Sequence, residues 1–456
     1  MSSEEKKTSD NQASDNFLPV KKENDMEKKG LVKRTVASFF DWREKRLEEL
    51  DPIYTEPITP VAVEDEAKEP LCRGGVDKWF LLFATMLLCF GIVMCYSAGV
   101  VEAQVQYDNP THYLVRNIGF SAVAIFITSI FVMFFRPWHL RYLAVITYAG
   151  AIFFLLLVLV IGTVGGGAQR WIAIGPITIQ PSEVGKTGVV MMLALYMSKY
   201  EKEISSVHKY GGSFKHGFFM PLMIIGLVCG LVALEKHISG LMIIGIIGVC
   251  VMFLGGTRAK WLLAFFAFIA VAFAGLLFVS SYAQERVYTW MHIYEVDPLG
   301  PAWQTLQGLY AIGSGGFFGT GIGSSRQKYG YVPEPQNDFV FPIICEELGF
   351  IGAFLLVALF VLLVWRGIKI GQNAPDKFTA LTVWGLTFKI ALQAAMNIAV
   401  VTNSMPNTGV SLPFVSSGGT ALMIQIFEVG IILLISRFSK QKNKQLQTIR
   451  RQLCEY

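Results

Sequence analysis

Charge is what this chain has least of. Asp, Glu, Lys and Arg make up 16% of its 456 residues, against 53% hydrophobic, whereas soluble domains carry roughly a quarter charged. One soluble core cannot absorb that much apolar residue, because such cores stop growing at around 250–300 residues. An ordinary soluble enzyme is therefore excluded. Cysteine is also sparse and badly placed for crosslinking. Of the seven, Cys89, Cys95, Cys229, Cys250 and Cys345 fall in or beside apolar runs, Cys72 precedes the first run and Cys454 lies near the end. That excludes a disulfide framework, and no Cys/His cluster has zinc spacing. Buried small hydrophobes remain as their role. The early residues hold no short apolar stretch with a cleavage site, so no cleaved signal peptide is expected. Net charge is a modest +5, which says little alone beside its distribution; no nucleic-acid partner is expected.

What the chain does have is long apolar runs. Stretches of about 20 residues recur at roughly 79–100, 114–135, 142–164, 184–199, 218–234, 238–255, 261–281, 339–364, 378–403 and 415–436. They predict an all-α polytopic membrane protein with about ten transmembrane helices. The fourth run is short and is expected to continue into the preceding loop. A large extracytoplasmic loop is expected between helices 7 and 8. Residues 76–438 form the membrane domain on this reading, and 439–456 a basic cytoplasmic tail. Residues 1–75 mix Lys, Glu, Asp, Ser and Asn with few large apolar residues and read as a mostly disordered cytoplasmic arm. Within it, residues 31–50 repeat Val32, Val36, Phe39, Phe40, Leu47 and Leu50 at three- and four-residue steps among basic residues. An amphipathic helix on anionic lipid, a partner-docking helix and a transient solvated helix all fit that pattern.

Lys and Arg set the orientation. With both termini inside, the cytoplasmic loops hold Arg136 and Arg141; Lys199, Lys202, Lys209 and Lys215; Arg258 and Lys260; Arg366, Lys369 and Lys377. The opposite loops hold only Arg170, Lys236, Arg286, Arg326 and Lys328, although they include the longest loop. The positive-inside bias thus favours ten spans with both ends cytoplasmic.

Polar residues then concentrate on the outer side in three places. The first is the loop from about 282 to 338, which is too long to be a simple connection. It carries a glycine-rich stretch, Gly313 to Ser325, followed by Arg326, Lys328 and Asp338. No strand–helix unit surrounds those glycines, so they do not form a nucleotide fingerprint. They are either a backbone cradle for a phosphate-bearing substrate or a tightly folded re-entrant loop. Asp338 stands at the mouth of the eighth span, before Phe339-Val340-Phe341. Partial desolvation there favours a general base, while the position equally suits a helix N-cap. The second cluster runs from Gln169-Arg170-Trp171-Ile172 to Gln180-Pro181-Ser182-Glu183 and Lys186. Trp171 alone reads as an interface anchor, and Glu183 with Lys186 as a three-apart helical pair. The third runs from Asn397 to Thr420 and includes Pro406, Pro413 and Ser416-Ser417-Gly418-Gly419. Such a break is tolerated at membrane depth only where it lines a cavity or is buried in protein.

Taken in order, these clusters resemble the SEDS family of shape, elongation, division and sporulation proteins, the FtsW/RodA/SpoVE type. The resemblance covers nearly everything after the N-terminal arm. It is carried by the Gln169 and Gln180 segments above; by Gln304 and Gln307 with Gly315-Gly316-Phe317-Phe318-Gly319; by Asn337-Asp338-Phe339-Val340-Phe341 with Glu346-Glu347-Leu348-Gly349; and by Asn397 with Pro406, Thr408-Gly409 and Leu412-Pro413-Phe414. It implies a ten-helix peptidoglycan glycosyltransferase of the cytoplasmic membrane that polymerises lipid II, in cell division or elongation. It further implies Asp338 as the catalytic residue and a functional Trp171. Arg170, Glu183, Lys186, Gln304, Gln307, Arg326, Lys328 and Ser416 become candidate substrate-binding residues. A single carboxylate suffices because the leaving group would be a polyprenyl diphosphate, whereas glycosidases need two to expel an alcohol. Cations would stabilise the departing diphosphate, with Arg170, Arg326 and Lys328 as candidates. A divalent cation, Mg2+ or Mn2+, held near Asp338 is a further candidate. The implied partners are lipid II, a class B penicillin-binding transpeptidase and other division or elongation proteins.

Some residues depart from that pattern. Glu235-Lys236-His237 stands where many relatives have a proline–aspartate pair, Gly308 replaces a common serine, and Ser417 a common tyrosine. Lys389 and Glu428 fall well inside the ninth and tenth spans, on the order of 15 Å from a helix end. Opposite charges at similar depth predict a buried pair that locks the two helices. Two rival functions remain: a lipid II flippase, which would carry midplane substrate groups and a repeat, and a non-catalytic scaffold for a cell-wall transpeptidase.

Overall fold

The computed structural model describes residues 74–165, 168–174, 177–205, 214–235, 237–267, 269, 281–296, 300 and 302–438. The expected arm at 1–75, with its amphipathic segment at 31–50, and the basic tail at 439–456 lie outside them almost entirely.

Helices dominate, and their order follows the apolar runs. They are α1 (Lys78–Tyr107), α2 (His112–Phe134), α3 (His139–Ile161), α4 (Pro181–Lys199), α5 (Glu201–Ser205), α6 (Met220–Leu234), α7 (Ile238–Gly255), α8 (Ser281–Met291), α9 (Trp303–Ser314), α10 (Val340–Gln372), α11 (Lys377–Val401) and α12 (Gly419–Ser436). A short π-helical turn, Lys215–Phe219, leads into α6. Among the described residues, eight helical segments are long and apolar enough to cross a membrane: α1, α2, α3, α6 with its leading turn, α7, α10, α11 and α12. Their outward faces explain the composition. Phe126, Tyr142 and Val160 are 68%, 72% and 79% exposed, a waste of apolar surface in water but the rule for a helix facing lipid.

The expected fourth span is present as α4, a helix too rich in Gly, Ser, Thr and Lys to count among the eight. It is instead the buried axis of the bundle, packed against α3, α7 and α11. Small residues suit a helix enclosed by others, since they let backbones approach. Of the expected seventh span, residues 259–267 are helical and most of the remainder lies outside the described residues.

The sequence reading expected no strands, yet three short ones follow α3: β1 (Thr163–Gly165), β2 (Ala168–Ile174) and β3 (Ile177–Ile179), an antiparallel sheet in the order β1-β2-β3. Arg170 and Ile172 alternate with Trp171 and Ala173, so β2 presents two faces. Such a run is too short to stand out beside 20-residue apolar stretches.

A break in α10 shapes the end of the bundle. Gly349 has φ 67° and ψ −165° inside the helix, a conformation only glycine takes readily. A Cβ there would lie 2.4 Å from the Gly319 amide nitrogen. The glycine-rich loop fills the gap: Thr320 N donates to Glu346 O (2.9 Å), Gly321 N to Glu347 O (2.9 Å), and Phe350 N to Gly316 O (3.0 Å). Two loop amides satisfy helix carbonyls and a loop carbonyl satisfies a helix amide at the break, so this segment is a folded re-entrant knot, and those groups are not aimed at a phosphate.

Candidate functional site

One cavity of about 1540 Å³ opens where α1 ends and where α4, α7 and α10 begin. It gathers residues from all three polar clusters. β2 supplies Arg170 and Trp171, α4 supplies Glu183 and Lys186, α9 supplies Gln304, the approach to α10 supplies Asp338, and the approach to α12 supplies Ser416. Sequence separation hides this convergence. It arises because α4 is enclosed by helices from both halves of the chain.

Asp338 precedes Phe339, the residue that occupies the N-cap of α10 and makes no side-chain cap bond. The capping alternative for Asp338 therefore fails by one position. Its main chain is instead held from across the bundle. Asn397 Nδ2 donates to both Asp338 O and Val410 O, each at 2.7 Å. Gly409, with φ +63°, would place a Cβ 3.3 Å from Asp338 Oδ2. This segment is pressed against the carboxylate, and its left-handed turn favours glycine. Burial pushes the Asp338 carboxyl up to about 6; its own amide opposes this, nearby Glu334 adds to it and Arg170 opposes it. Desolvation dominates, which makes Asp338 a better proton acceptor than a solvated aspartate.

Glu183 and Lys186 pair at 2.5 Å and line the cavity floor. Gln304 donates to Pro333 O (3.3 Å) and accepts from Asn407 Nδ2 (3.2 Å). Ser416 Oγ accepts from Leu412 N at 2.8 Å. Gln307 is buried in α9 and is not among the residues lining the cavity. Nor are the two loop cations. Arg326 is exposed, while Lys328 is buried and donates to Gly323 O (2.7 Å) and Glu347 Oε1 (3.0 Å). Of the candidate cations, Arg170 and Lys186 are the ones that line the cavity.

Lys389 and Glu428 are in contact, each fully buried. Thr187 Oγ1 donates to the same Glu428 oxygen, and Glu183 Oε2 lies 4.0 Å from Lys389. The pair therefore extends to the cavity floor.

Among the described residues, no three or more His, Cys, Asp and Glu side chains lie close enough together to hold a metal ion. A divalent cation near Asp338 would therefore be held by fewer protein groups than that, with substrate phosphate completing its shell.

Several cavity residues were not among the expected site residues: Glu102, Arg116, His237 and Glu334. His237 Nδ1 lies 3.3 Å from Ser182 Oγ. Burial and then the Arg170 and Lys186 charges lower His237 to about 4, so it is a neutral imidazole at pH 7. Glu235, two residues away, is 1% exposed, and neither carboxylate oxygen has a hydrogen-bond partner among the described residues. Burial pushes it up to about 8 against the pull of Arg170. Ionisable residues between two apolar runs were the available signal.

The fold and cavity together define a multi-pass helical membrane protein with a polar pocket at one end of the bundle. Residues 78–441 match the FtsW/RodA/SpoVE model, described as cell cycle protein, and the chain belongs to that family. It is 36% identical to stage V sporulation protein E of Bacillus subtilis over 375 residues, 81% of this chain and 99% of that one. It is 34% identical to a protein of Trichlorobacter lovleyi named peptidoglycan glycosyltransferase FtsW, covering 81% of this chain and 95% of the relative. Among solved structures, a chain of a peptidoglycan synthase complex that coordinates polymerization and crosslinking superposes with a TM-score of 0.67. It has 25% identity, with 80% of this chain and 99% of that one covered. The rod shape determining protein RodA of Thermus thermophilus shares the fold at a TM-score of 0.58 and 23% identity, covering 79% of this chain and 97% of that one.

Proposed function

We propose that this chain is a peptidoglycan glycosyltransferase that polymerises lipid II at the outer face of the bacterial cytoplasmic membrane, with both termini inside. The observation that carries the reading is Asp338: a desolvated carboxylate, with its proton affinity raised to about 6, on the wall of a large cavity that also holds Arg170 and Lys186.

Asp338 accepts the proton of the sugar 4-hydroxyl of one lipid II. The freed oxygen attacks the anomeric carbon of the second substrate, forming the new glycosidic bond as the bond to the diphosphate breaks. The electron pair leaves with the polyprenyl diphosphate, which needs no protonation to depart. Arg170 and Lys186 neutralise that charge, an electrostatic role with its greatest effect in a water-poor site. Trp171, Gln304 and Ser416 line the same space and orient the substrates. A class B transpeptidase is the partner this reading favours, because polymer and crosslink are made together in the synthase complex that the fold resembles.

The test is purified protein with a class B transpeptidase and lipid II, scored for glycan chains. Asp338→Asn keeps shape and removes the base; the expected loss is on the order of 10²–10⁴ in rate with folded yield unchanged. Polymer from that variant at the wild-type rate defeats the assignment.

A further inference from the structure

Four charges are buried together beside the cavity. Glu183 and Lys186 are 5% and 2% exposed, and Lys389 and Glu428 are 0%. The first two line the cavity; the second two do not. Replacing a buried ion pair by apolar side chains of similar volume is often neutral or stabilising, so tying helices together does not require charge here. The arrangement itself suggests what the charge does. Lys389 stands between two carboxylates: in contact with Glu428 Oε1 and 4.0 Å from Glu183 Oε2. Glu183 Oε2 has no hydrogen-bond partner among the described residues, while Glu183 Oε1 holds Lys186 at 2.5 Å. Glu428 thus occupies Lys389 and leaves Glu183 to Lys186. The quartet sums to zero charge.

We propose that Lys389 and Glu428 are a positioning pair for the substrate-binding floor: they hold the local charge neutral and keep Lys186 anchored on Glu183, presented to an anionic diphosphate-bearing substrate. This rests on the reading that the cavity takes such a substrate. It also makes predictions of opposite sign. Lys389→Met leaves an excess negative charge next to the cavity, which repels the anion. Glu428→Gln leaves an excess positive charge, which attracts it. A unit charge acting over about 10 Å at an effective dielectric of about 20 is worth on the order of tenfold in affinity. A simple helix clasp predicts no such asymmetry, because both single changes break the same pair.

The experiment measures KM and kcat for lipid II polymerisation by the full-length protein with its transpeptidase, alongside thermal stability. Lys389→Met is expected to raise KM by about tenfold, and Glu428→Gln to lower it or leave it alone. The double variant Lys389→Met/Glu428→Gln, neutral again, is expected to return KM to within about twofold of wild type. The exchanged pair Lys389→Glu/Glu428→Lys keeps one pair but sets a carboxylate against Glu183, so it is expected not to restore activity. Equal rises in KM for both single variants overturn the proposal, as does an exchanged pair that matches wild type. Where the single variants do not accumulate, the double and exchanged variants decide by the same criteria. If wild type makes no glycan, the enzymatic reading fails separately. Binding of a polyprenyl diphosphate in detergent by the same variants then carries the test, and equal losses in both single variants overturn it.

Discussion

Two polar clusters sit close together in the chain, around Glu346-Glu347 and at Asp338, and they differ in how fully they are satisfied. Glu346 accepts from Ser325 Oγ, Arg326 N and Gln327 N. Glu347 accepts from Ser97 Oγ, Ser325 N and Lys328 Nζ. Both carboxylates are buried, and their hydrogen-bonding capacity is spent on holding the glycine-rich knot to the broken α10. Asp338 has its main chain clamped by Asn397, while its carboxylate faces the cavity in a setting that raises its proton affinity. In the sequence both regions look alike, dense in charge, Gly and Pro at a membrane surface. Polar density located the neighbourhood; what distinguishes Asp338 from the scaffold carboxylates is that it lines the cavity with a raised proton affinity.

The sharpest way to break that contrast is through the knot. Lys328→Met strands Glu347 without its ammonium in a fully buried position, and breaking such a pair costs about 3–5 kcal/mol. Thermal unfolding should show a large loss of stability, while glycan made per folded molecule stays close to wild type. A selective loss of turnover with stability intact would move Lys328 from the scaffold to the site. Asn397→Ala comes next. It leaves two buried carbonyls without their donor, costing about 1–3 kcal/mol, and loosens the backbone of Asp338, for which a 1 Å displacement can cost on the order of 10² in rate. The predicted signature is a fall in kcat that exceeds the fall in folded yield, and an unchanged kcat would remove Asn397 from the account.

The smallest effect belongs to Glu235. Its folded value near 8 lies above the ordinary 4.5, so the folded protein holds a proton that the unfolded chain releases. Stability from this group is therefore full below about 4.5 and falls as pH rises towards 8, by up to about 1.4 kcal/mol per pH unit. Glu235→Gln should flatten the stability profile over that interval. A profile that keeps its full slope in the variant would place the proton elsewhere.

How much of this was legible beforehand depends on range. The apolar runs were readable because each is local and long, and eight of them are helices able to cross a membrane. α4 was harder: a helix enclosed by its neighbours does not need an apolar surface of its own. β2 was missed because its seven residues carry too short an alternation. Asp338, Trp171 and Lys186 were named through the family motif and line the cavity; position alone left Asp338 balanced between cap and base, and the start of α10 at Val340 counts against the cap. The engagement of Lys328 by Glu347 had no signal in the sequence, since nineteen residues and a broken helix separate them.

The pH dependence of kcat/KM for lipid II polymerisation tests the central claim most directly, because it reads the protonation of the free enzyme's base. A general base acts ionised, so with Asp338 in the proposed role the rate should rise with pH through an apparent value near 6 and then level off. A rate that stays flat from pH 5 to 7, on the order of a unit either side, would contradict Asp338 as the base.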